Sequence, residues 1–172
     1  MSRNFPKGRA LLFVQAERSG ALLLTGWGIL STAIGITGLF YPPLLVVEGM
    51  GLPFLLLGAP MLIIGVRHLA WTFRQAQLVE DQPAHLPKHF LQEEWERVDI
   101  LLAVLQRGRD LSLLFLVLGF SLTLLDNLLD WGPYSLGIGL GVPIQSVFAL
   151  IYVLFWQFRN GLYQHELEVA GH

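Results

Sequence analysis

Cysteine is absent from this chain of 172 residues, and charged side chains are scarce. Without a thiol, the chain can form neither a disulfide framework nor a thiolate metal site or nucleophile. Only 14% of the residues are charged, against about 25% in an average soluble protein, whereas 53% are apolar. The mean hydropathy of +0.56 agrees with this balance. The composition therefore excludes an ordinary soluble domain and predicts a membrane protein.

Sequence patterns typical of catalytic and cofactor sites are also missing. The five histidines do not form the H-E-x-x-H or H-x-x-E-H patterns of zinc enzymes. There is no Ser/His/Asp constellation, phosphate-binding loop or nucleic-acid-binding motif. We therefore expect a protein that is not an enzyme, with no catalytic residue, no metal or other cofactor, and no nucleic-acid partner.

Four stretches of the chain are apolar and long enough to cross a bilayer. A hydrocarbon core of about 30 Å requires about 20 helical residues at about 1.5 Å each. The predicted transmembrane helices are residues 21–41, 52–71, 111–129 and 138–158. The predicted fold class is therefore all-α: a polytopic membrane protein whose four transmembrane helices form two hairpins, within a single membrane domain of residues 1–172.

All eleven Lys and Arg residues are predicted to lie on one side of the membrane. Six lie from Arg67, at the inner end of the second span, to Arg109, just before the third, and the others precede the first span or follow the last. The two opposite connections, 41–52 and 130–137, contain none. Because basic loops remain on the cytoplasmic side, we expect a multi-pass protein of the cell membrane with both termini in the cytoplasm. The residues expected to contact anionic headgroups of the inner face are Arg67, Arg74, Arg107 and Arg109.

The predicted cytoplasmic segment, residues 72–110, has two parts. Residues 72–87 are polar and are interpreted as a tail of the second helix followed by a loop. From about His89 to Arg107, apolar residues recur at helical spacing, while Glu94 and Arg97 fall off this stripe. The pattern predicts an amphipathic cytoplasmic helix before the third span. This helix would either lie in the plane of the headgroups or pack on the inner surface of the protein, and the two alternatives remain open.

The two hairpins resemble each other in local sequence. Trp71-Thr72-Phe73-Arg74 ends the second span, and Trp156-Gln157-Phe158-Arg159 ends the fourth. The resemblance indicates either a duplication or only the shared requirements of two membrane hairpins.

Small residues recur on one face of the first span and in the second. Such residues let helix backbones approach closely in lipid. The predicted helix-packing residues are Gly28, Ser31, Gly35, Gly38, Gly58 and Gly65. Packing within one chain is the default expectation, and packing between chains is the alternative.

Few polar residues remain that could indicate a function. Gln145 and Ser146 fall in the fourth span, where they would bond another helix or line a polar path. The side opposite the basic residues holds only acids, Glu48, Asp126 and Asp130. Repeated around an oligomer, these acids would form a cation-attracting outer mouth. In a single chain, the simpler interpretation of Asp126 and Asp130 is two solvated carboxylates that mark the membrane interface.

These observations favour a small membrane protein that forms a homo-oligomeric pore or transport pathway for cations or small solutes. The alternative is a non-catalytic scaffold or accessory subunit that binds another membrane protein or anionic lipid. A lipid-modifying enzyme is the least supported class, because only scattered His, Glu and Arg residues lie near the inner interface. The expected partners are the bilayer, its anionic headgroups and further copies of the chain.

Overall fold

The computed structural model describes residues 5–40, 45–84 and 86–171 of the chain. Four long α-helices account for nearly all of them: α1 (Lys7–Phe40), α2 (Leu45–Glu80), α3 (Lys88–Leu129) and α4 (Pro133–Gly171). Each helix is apolar and long enough to cross a membrane. The predicted all-α architecture with four helices able to span a membrane is therefore confirmed. The predicted end of the first span, at Tyr41, lies outside the described residues.

All four helices are longer than a bilayer requires. They contain 34, 36, 42 and 39 residues, whereas about 20 residues cross the hydrocarbon core. Most of the surplus lies at the end where the charged residues are concentrated. This part, named here the charged-end bundle, comprises residues 7–20, 67–80, 88–110 and 159–171. The remaining, largely apolar parts of the helices are residues 21–40, 45–66, 111–129 and 133–158, and they are named here the membrane-spanning segments because they are apolar and long enough to cross a bilayer.

At the end opposite the charged-end bundle, the helices begin earlier than the sequence predicts. Residues 45–51, expected in a connection, form the first turns of α2, and α4 begins at Pro133, about a turn before its expected start. The reason is close helix packing. A side chain on Gly49 would collide with the backbone of Tyr134, and one on Gly137 would collide with the backbone of α2. These glycines therefore serve helix contact rather than a turn.

α3 is one continuous helix of 42 residues. The stretch from His89 to Arg107 is therefore continuous with the third apolar stretch and is not a separate helix before it. Of the two alternatives left open for it, packing on the protein is the one that the buried residues support. No proline interrupts α3, and its two glycines are tolerated within a helix. Leu91 and Val98 are buried in the charged-end bundle, so this half of α3 packs on the protein itself.

Glycines bring α1 and α2 into close contact along the membrane-spanning segments. A Cβ atom on Gly28 would lie 2.5 Å from the Cα of Leu62, and one on Gly35 would lie 2.6 Å from the backbone nitrogen of Leu55. The same contact contains the other four predicted packing residues, Ser31, Gly38, Gly58 and Gly65. These small residues thus pack one helix against another within a single chain.

The helices of the two hairpins also contact each other. α2 packs against both α1 and α4, and α3 packs against α4. Phe13 of α1 stacks on Tyr163 of α4 with ring centroids 3.7 Å apart. The buried apolar core at this end includes Phe5 and Leu86, which lie just outside the helices, together with eight residues of the charged-end bundle: Ala10, Phe13, Val14, Val79, Leu91, Val98, Tyr163 and Leu167. Hydrophobic burial therefore stabilises this end, whereas close packing of small residues stabilises the membrane-spanning segments.

Candidate functional site

A cluster of buried polar side chains lies in the charged-end bundle, close to the membrane-spanning segments. All four helices contribute to this cluster, which is named here the polar layer. Its members are Glu17 of α1, Thr72 and Gln75 of α2, Glu94 and Arg97 of α3, and Asn160 and Tyr163 of α4. Six of these seven side chains are buried, and the side chain of Arg97 is 22% exposed.

Arg97 connects the two carboxylates of the polar layer. It donates to Glu94 from Nη2 at 2.5 Å and from Nε at 2.9 Å, and its Nη1 donates to Oε1 of Glu17 at 3.4 Å. The guanidinium carbon also lies 4.7 Å from the centroid of the Trp71 ring. An arginine suits this position because its planar group can bind a carboxylate through two hydrogen bonds while stacking on an aromatic face.

Glu94 is fully engaged by donors from three helices. Besides the bonds from Arg97, it accepts from Nε2 of Gln75 at 3.1 Å and from the hydroxyl of Tyr163 at 3.4 Å. Burial and the neighbouring Glu94 carboxylate raise the pKa of Tyr163, so its hydroxyl remains a donor at neutral pH. Glu94 therefore joins α2, α3 and α4 in one hydrogen-bonded network.

Glu17 differs from Glu94 because one of its oxygens has no partner. Its side chain is fully buried, and Oε2 accepts no hydrogen bond from the described part of the chain. Burial raises the pKa of Glu17 to about 7 although Arg97 opposes the rise, and the Glu94 carboxylate adds to it. Glu17 can therefore gain or lose a proton near neutral pH.

A second buried acceptor without a partner lies at the level of Glu17. Phe13 of α1 stacks on Tyr163 of α4. Glu17 lies one helical turn from Phe13, and Asn160 lies one turn from Tyr163, both toward the membrane-spanning segments. Asn160 is fully buried, and its Nδ2 donates to the carbonyl of Trp156 at 2.8 Å. Its Oδ1 has no partner among the described residues. A water molecule can donate to buried acceptors of this kind, and the carboxyl of Glu17 can also take up a proton itself.

Gln145 forms a hydrogen bond between helices inside the membrane-spanning segments. Its Oε1 accepts from Nε1 of Trp27 at 2.9 Å, and the Trp27 ring stacks on Phe148 with centroids 4.1 Å apart. Gln145 is fully buried, and its Nε2 has no partner within the described ranges. Ser146 instead donates to the carbonyl of Val142 in its own helix at 2.8 Å. Of these two residues, Gln145 is therefore the one that links α1 to α4.

The three acids expected to form an outer mouth have different surroundings. Asp126 is buried and accepts a hydrogen bond from the hydroxyl of Ser135, across the turn between α3 and α4. The expectation of a solvated carboxylate is therefore wrong for Asp126, because a nearby hydroxyl stabilises it inside the protein. Asp130 is exposed and ends α3 with a φ of 52°, and Glu48 is half-buried in the first turn of α2.

The four arginines expected to contact lipid headgroups all lie in the charged-end bundle. Arg67, Arg74 and Arg107 are exposed, whereas Arg109 is partly covered and bonds Oδ1 of Asp110 at 2.9 Å. Exposed guanidinium groups near the membrane boundary are suited to anionic headgroups.

Sequence reasoning missed most of the polar layer. It assigned Glu94 and Arg97 to the outward, polar face of their helix, but Glu94 is only 4% exposed. The buried positions here are Leu91, Glu94 and Val98, a helical spacing that includes the acid. The sequence contains one signal that could have indicated Glu17: it is the only acidic residue among the first 47 residues of the chain.

Within the part of the chain that the structure describes, no three His, Asp or Glu side chains gather closely enough to hold a metal ion. The polar layer consists of hydrogen-bonding and titratable side chains. Comparison with known protein families, with curated proteins and with solved structures finds no match for this chain.

Proposed function

We propose that this protein is a multi-pass membrane transport protein that assembles as a homo-oligomer and moves cations, with the proton as the cation it binds. The observation that carries the proposal is Glu17, a fully buried carboxyl at the end of an uncharged span with one oxygen unpaired. Ionisable residues buried in membrane proteins mark ion pathways and proton relays. In the proposed orientation, the polar layer and both termini lie on the cytoplasmic side of the cell membrane.

The surroundings of Glu17 suit a carboxyl that changes its charge. Arg97 contributes one positive charge, which Glu17 shares with the more closely bonded Glu94. Protonation of Glu17 would leave one positive and one negative charge in this cluster. The titratable groups that face Glu17 from other helices are Arg97, Glu94, Arg159, Tyr152 and Tyr163. A buried carboxylate whose negative charge is balanced only by a shared positive charge favours the uptake of a proton.

Buried polar atoms without a protein partner continue from the polar layer into the membrane-spanning segments. Among the described residues, these are atoms of Glu17, Ser31, Thr32, His68, Gln145 and Asn160. Ser31 and Thr32 lie where α1 contacts Gly58 of α2, whereas Asn160 and Gln145 lie on α4, with a rise of about 22 Å between them. Groups of this kind can be bridged by water. Glu17, Asn160 and Gln145 therefore support a polar path between α1 and α4.

The proposed oligomer contact is the membrane-spanning part of α3. Only 17% of the apolar stretch of α3 is buried within the chain, against 28 to 33% for the other three helices. An oligomer through α3 would cover this face. It would also bring Glu48 and Asp130 of several copies to one side of the membrane, where acids concentrate cations.

Proton flux into liposomes tests the proposal. The purified protein is reconstituted into vesicles that contain a pH-sensitive dye, and a proton gradient is applied while valinomycin and potassium hold the voltage constant. We expect wild type to acidify the lumen faster than empty vesicles. Glu17→Gln should lower the rate by about tenfold or more, because an amide cannot exchange a proton at neutral pH.

Glu93→Gln is the matched control for this experiment, since Glu93 is an exposed carboxylate next to Glu94. Its flux should equal that of wild type. If wild type is no faster than empty vesicles, the protein is not a proton transporter. If wild type conducts and Glu17→Gln conducts equally well, the role given to Glu17 is wrong.

The exposed face of α3 also supports a second candidate, an accessory subunit that binds another membrane protein. Both candidates use the same apolar surface, so the copy number in lipid nanodiscs distinguishes them. A defined homo-oligomer with proton flux supports transport. A strict monomer without flux favours the accessory role.

A further inference from the structure

A groove between α1 and α4 opens toward the bilayer beside the charged-end bundle. Its volume is about 460 Å³. On α4 its lining residues recur about once per turn from Phe148 to Arg159, a rise of about 16 Å. Leu23, Ile151 and Phe155 on its walls are more than half exposed. The groove therefore presents an apolar channel to the lipid at the level of one leaflet.

The floor of the groove is formed by Gly20 and Trp156. The Trp156 ring lies directly against Gly20, where any side chain would collide with it. Trp156 is 5% exposed, so the indole is held in place by the surrounding protein. The apolar floor is therefore part of the folded structure and needs no ligand to form.

Arg159 is the only charged residue among those that line the groove. α4 carries no charge from Pro133 to Phe158, so Arg159 lies where the hydrocarbon gives way to the headgroups. No carboxylate of the described residues lies within ion-pairing distance of its guanidinium. The groove thus combines an apolar channel with one positive charge at its end.

We propose that this groove binds one anionic phospholipid, with an acyl chain along the groove and its phosphate paired with Arg159. The length of about 16 Å matches one leaflet of the hydrocarbon core, which is about 15 Å thick. An arginine without a carboxylate partner favours a phosphate, and it disfavours a lipophilic cation. The groove is a separate surface from the polar layer, because Glu17 does not line it, although the charge of Arg159 also acts on Glu17.

Native mass spectrometry of the purified protein with added lipid tests this proposal. We expect wild type to bind one dioleoylphosphatidylglycerol about tenfold more tightly than dioleoylphosphatidylcholine. Arg159→Gln should abolish that preference, and Arg159→Lys should retain most of it. Arg9→Gln is the matched control, because Arg9 is exposed in the charged-end bundle, where it pairs with Glu166, and does not line the groove.

A second variant tests the acyl-chain part of the site and does not depend on Arg159. Ile151 is 63% exposed, so Ile151→Trp can be accommodated on the wall while filling the groove. It should lower the affinity for both lipids by about tenfold. Equal affinity of wild type for the two lipids, or equal losses in Arg159→Gln and Arg9→Gln, would overturn the proposal. Unchanged binding in Ile151→Trp would show that the chain does not occupy the groove.

Discussion

Arg97 of α3 donates to Glu17 of α1 at 3.4 Å, although 80 positions separate the two residues in the sequence. α1 packs mainly on α2, and α3 packs on α4. This ion pair therefore ties the two hairpins together at the charged end. Because Arg97 also binds Glu94, a change in any one of the three groups alters the other two.

Removal of the Arg97 charge should destabilise the fold strongly. Arg97→Gln leaves Glu17 and Glu94 buried without their cation, and breaking a buried pair in this way costs about 3 to 5 kcal/mol. We expect a clear loss of unfolding free energy in denaturant titrations of the detergent-solubilised protein. Arg107→Gln, at an exposed position of the same helix, should change stability by less than about 0.5 kcal/mol. Equal losses in the two variants would contradict the role given to Arg97.

The stability of the protein should depend on pH through Glu17. Burial raises the pKa of this carboxyl from 4.5 to about 7, so the folded protein holds the proton more tightly than the unfolded chain. This contribution is fully present below about pH 4.5 and is lost as the pH rises through about 7. The loss amounts to about 3 kcal/mol. The midpoint temperature of thermal unfolding should fall more steeply between pH 4.5 and 8 for wild type than for Glu17→Gln. Parallel curves of this midpoint against pH for the two proteins would contradict the prediction.

Gly35→Ala should weaken the contact between α1 and α2. The new Cβ would lie 2.6 Å from the backbone of Leu55, and such overpacking costs about 1 to 3 kcal/mol. Gly26→Ala is the matched control on the same helix, because its Cβ would meet nothing within 4 Å. The control should be neutral or stabilising by up to about 1 kcal/mol. Unfolding free energies of the two variants check this difference, and similar values would argue against close packing at Gly35.

The bond between Trp27 and Gln145 should be measurable as an interaction energy. Trp27→Phe removes the indole donor but keeps an aromatic ring beside Phe148. A double-mutant cycle with Gln145→Met should give a coupling of about 1 kcal/mol, in the range of hydrogen bonds between membrane helices. A coupling of zero would show that the two side chains do not stabilise each other.

The sequence predicted the number of helices and their apolar stretches, because hydropathy over about 20 residues is a strong signal. It predicted helix ends less well. Residues 45–51 are rich in glycine and were expected in a connection, but α2 already includes them. A glycine that permits helix contact and a glycine that permits a turn look alike until the neighbouring helix is known. Gly49 and Gly137 are of the first kind.

The polar layer was largely beyond sequence reasoning for a related reason. Periodicity identifies a buried face only when that face is apolar, and it therefore placed Glu94 outside. Glu94 is buried because Gln75, Arg97 and Tyr163 supply donors to it. Likewise, the donor that engages Gln145 lies 118 residues away in the sequence. Such pairings depend on the fold and have no local pattern.

Because α3 is one unbroken helix, a change in its tilt moves both of its ends. Its 42 residues form a rod of about 63 Å, and Arg97 lies about 17 Å from the midpoint. A tilt of about 5° that carries Arg97 away from α1, of the kind that a thinner bilayer imposes on a long helix, would move Arg97 by about 1.5 Å. The bond from Arg97 to Glu17 is already 3.4 Å long, so this displacement would break it. The tilt of α3 therefore governs whether Arg97 stays within hydrogen-bond distance of Glu17.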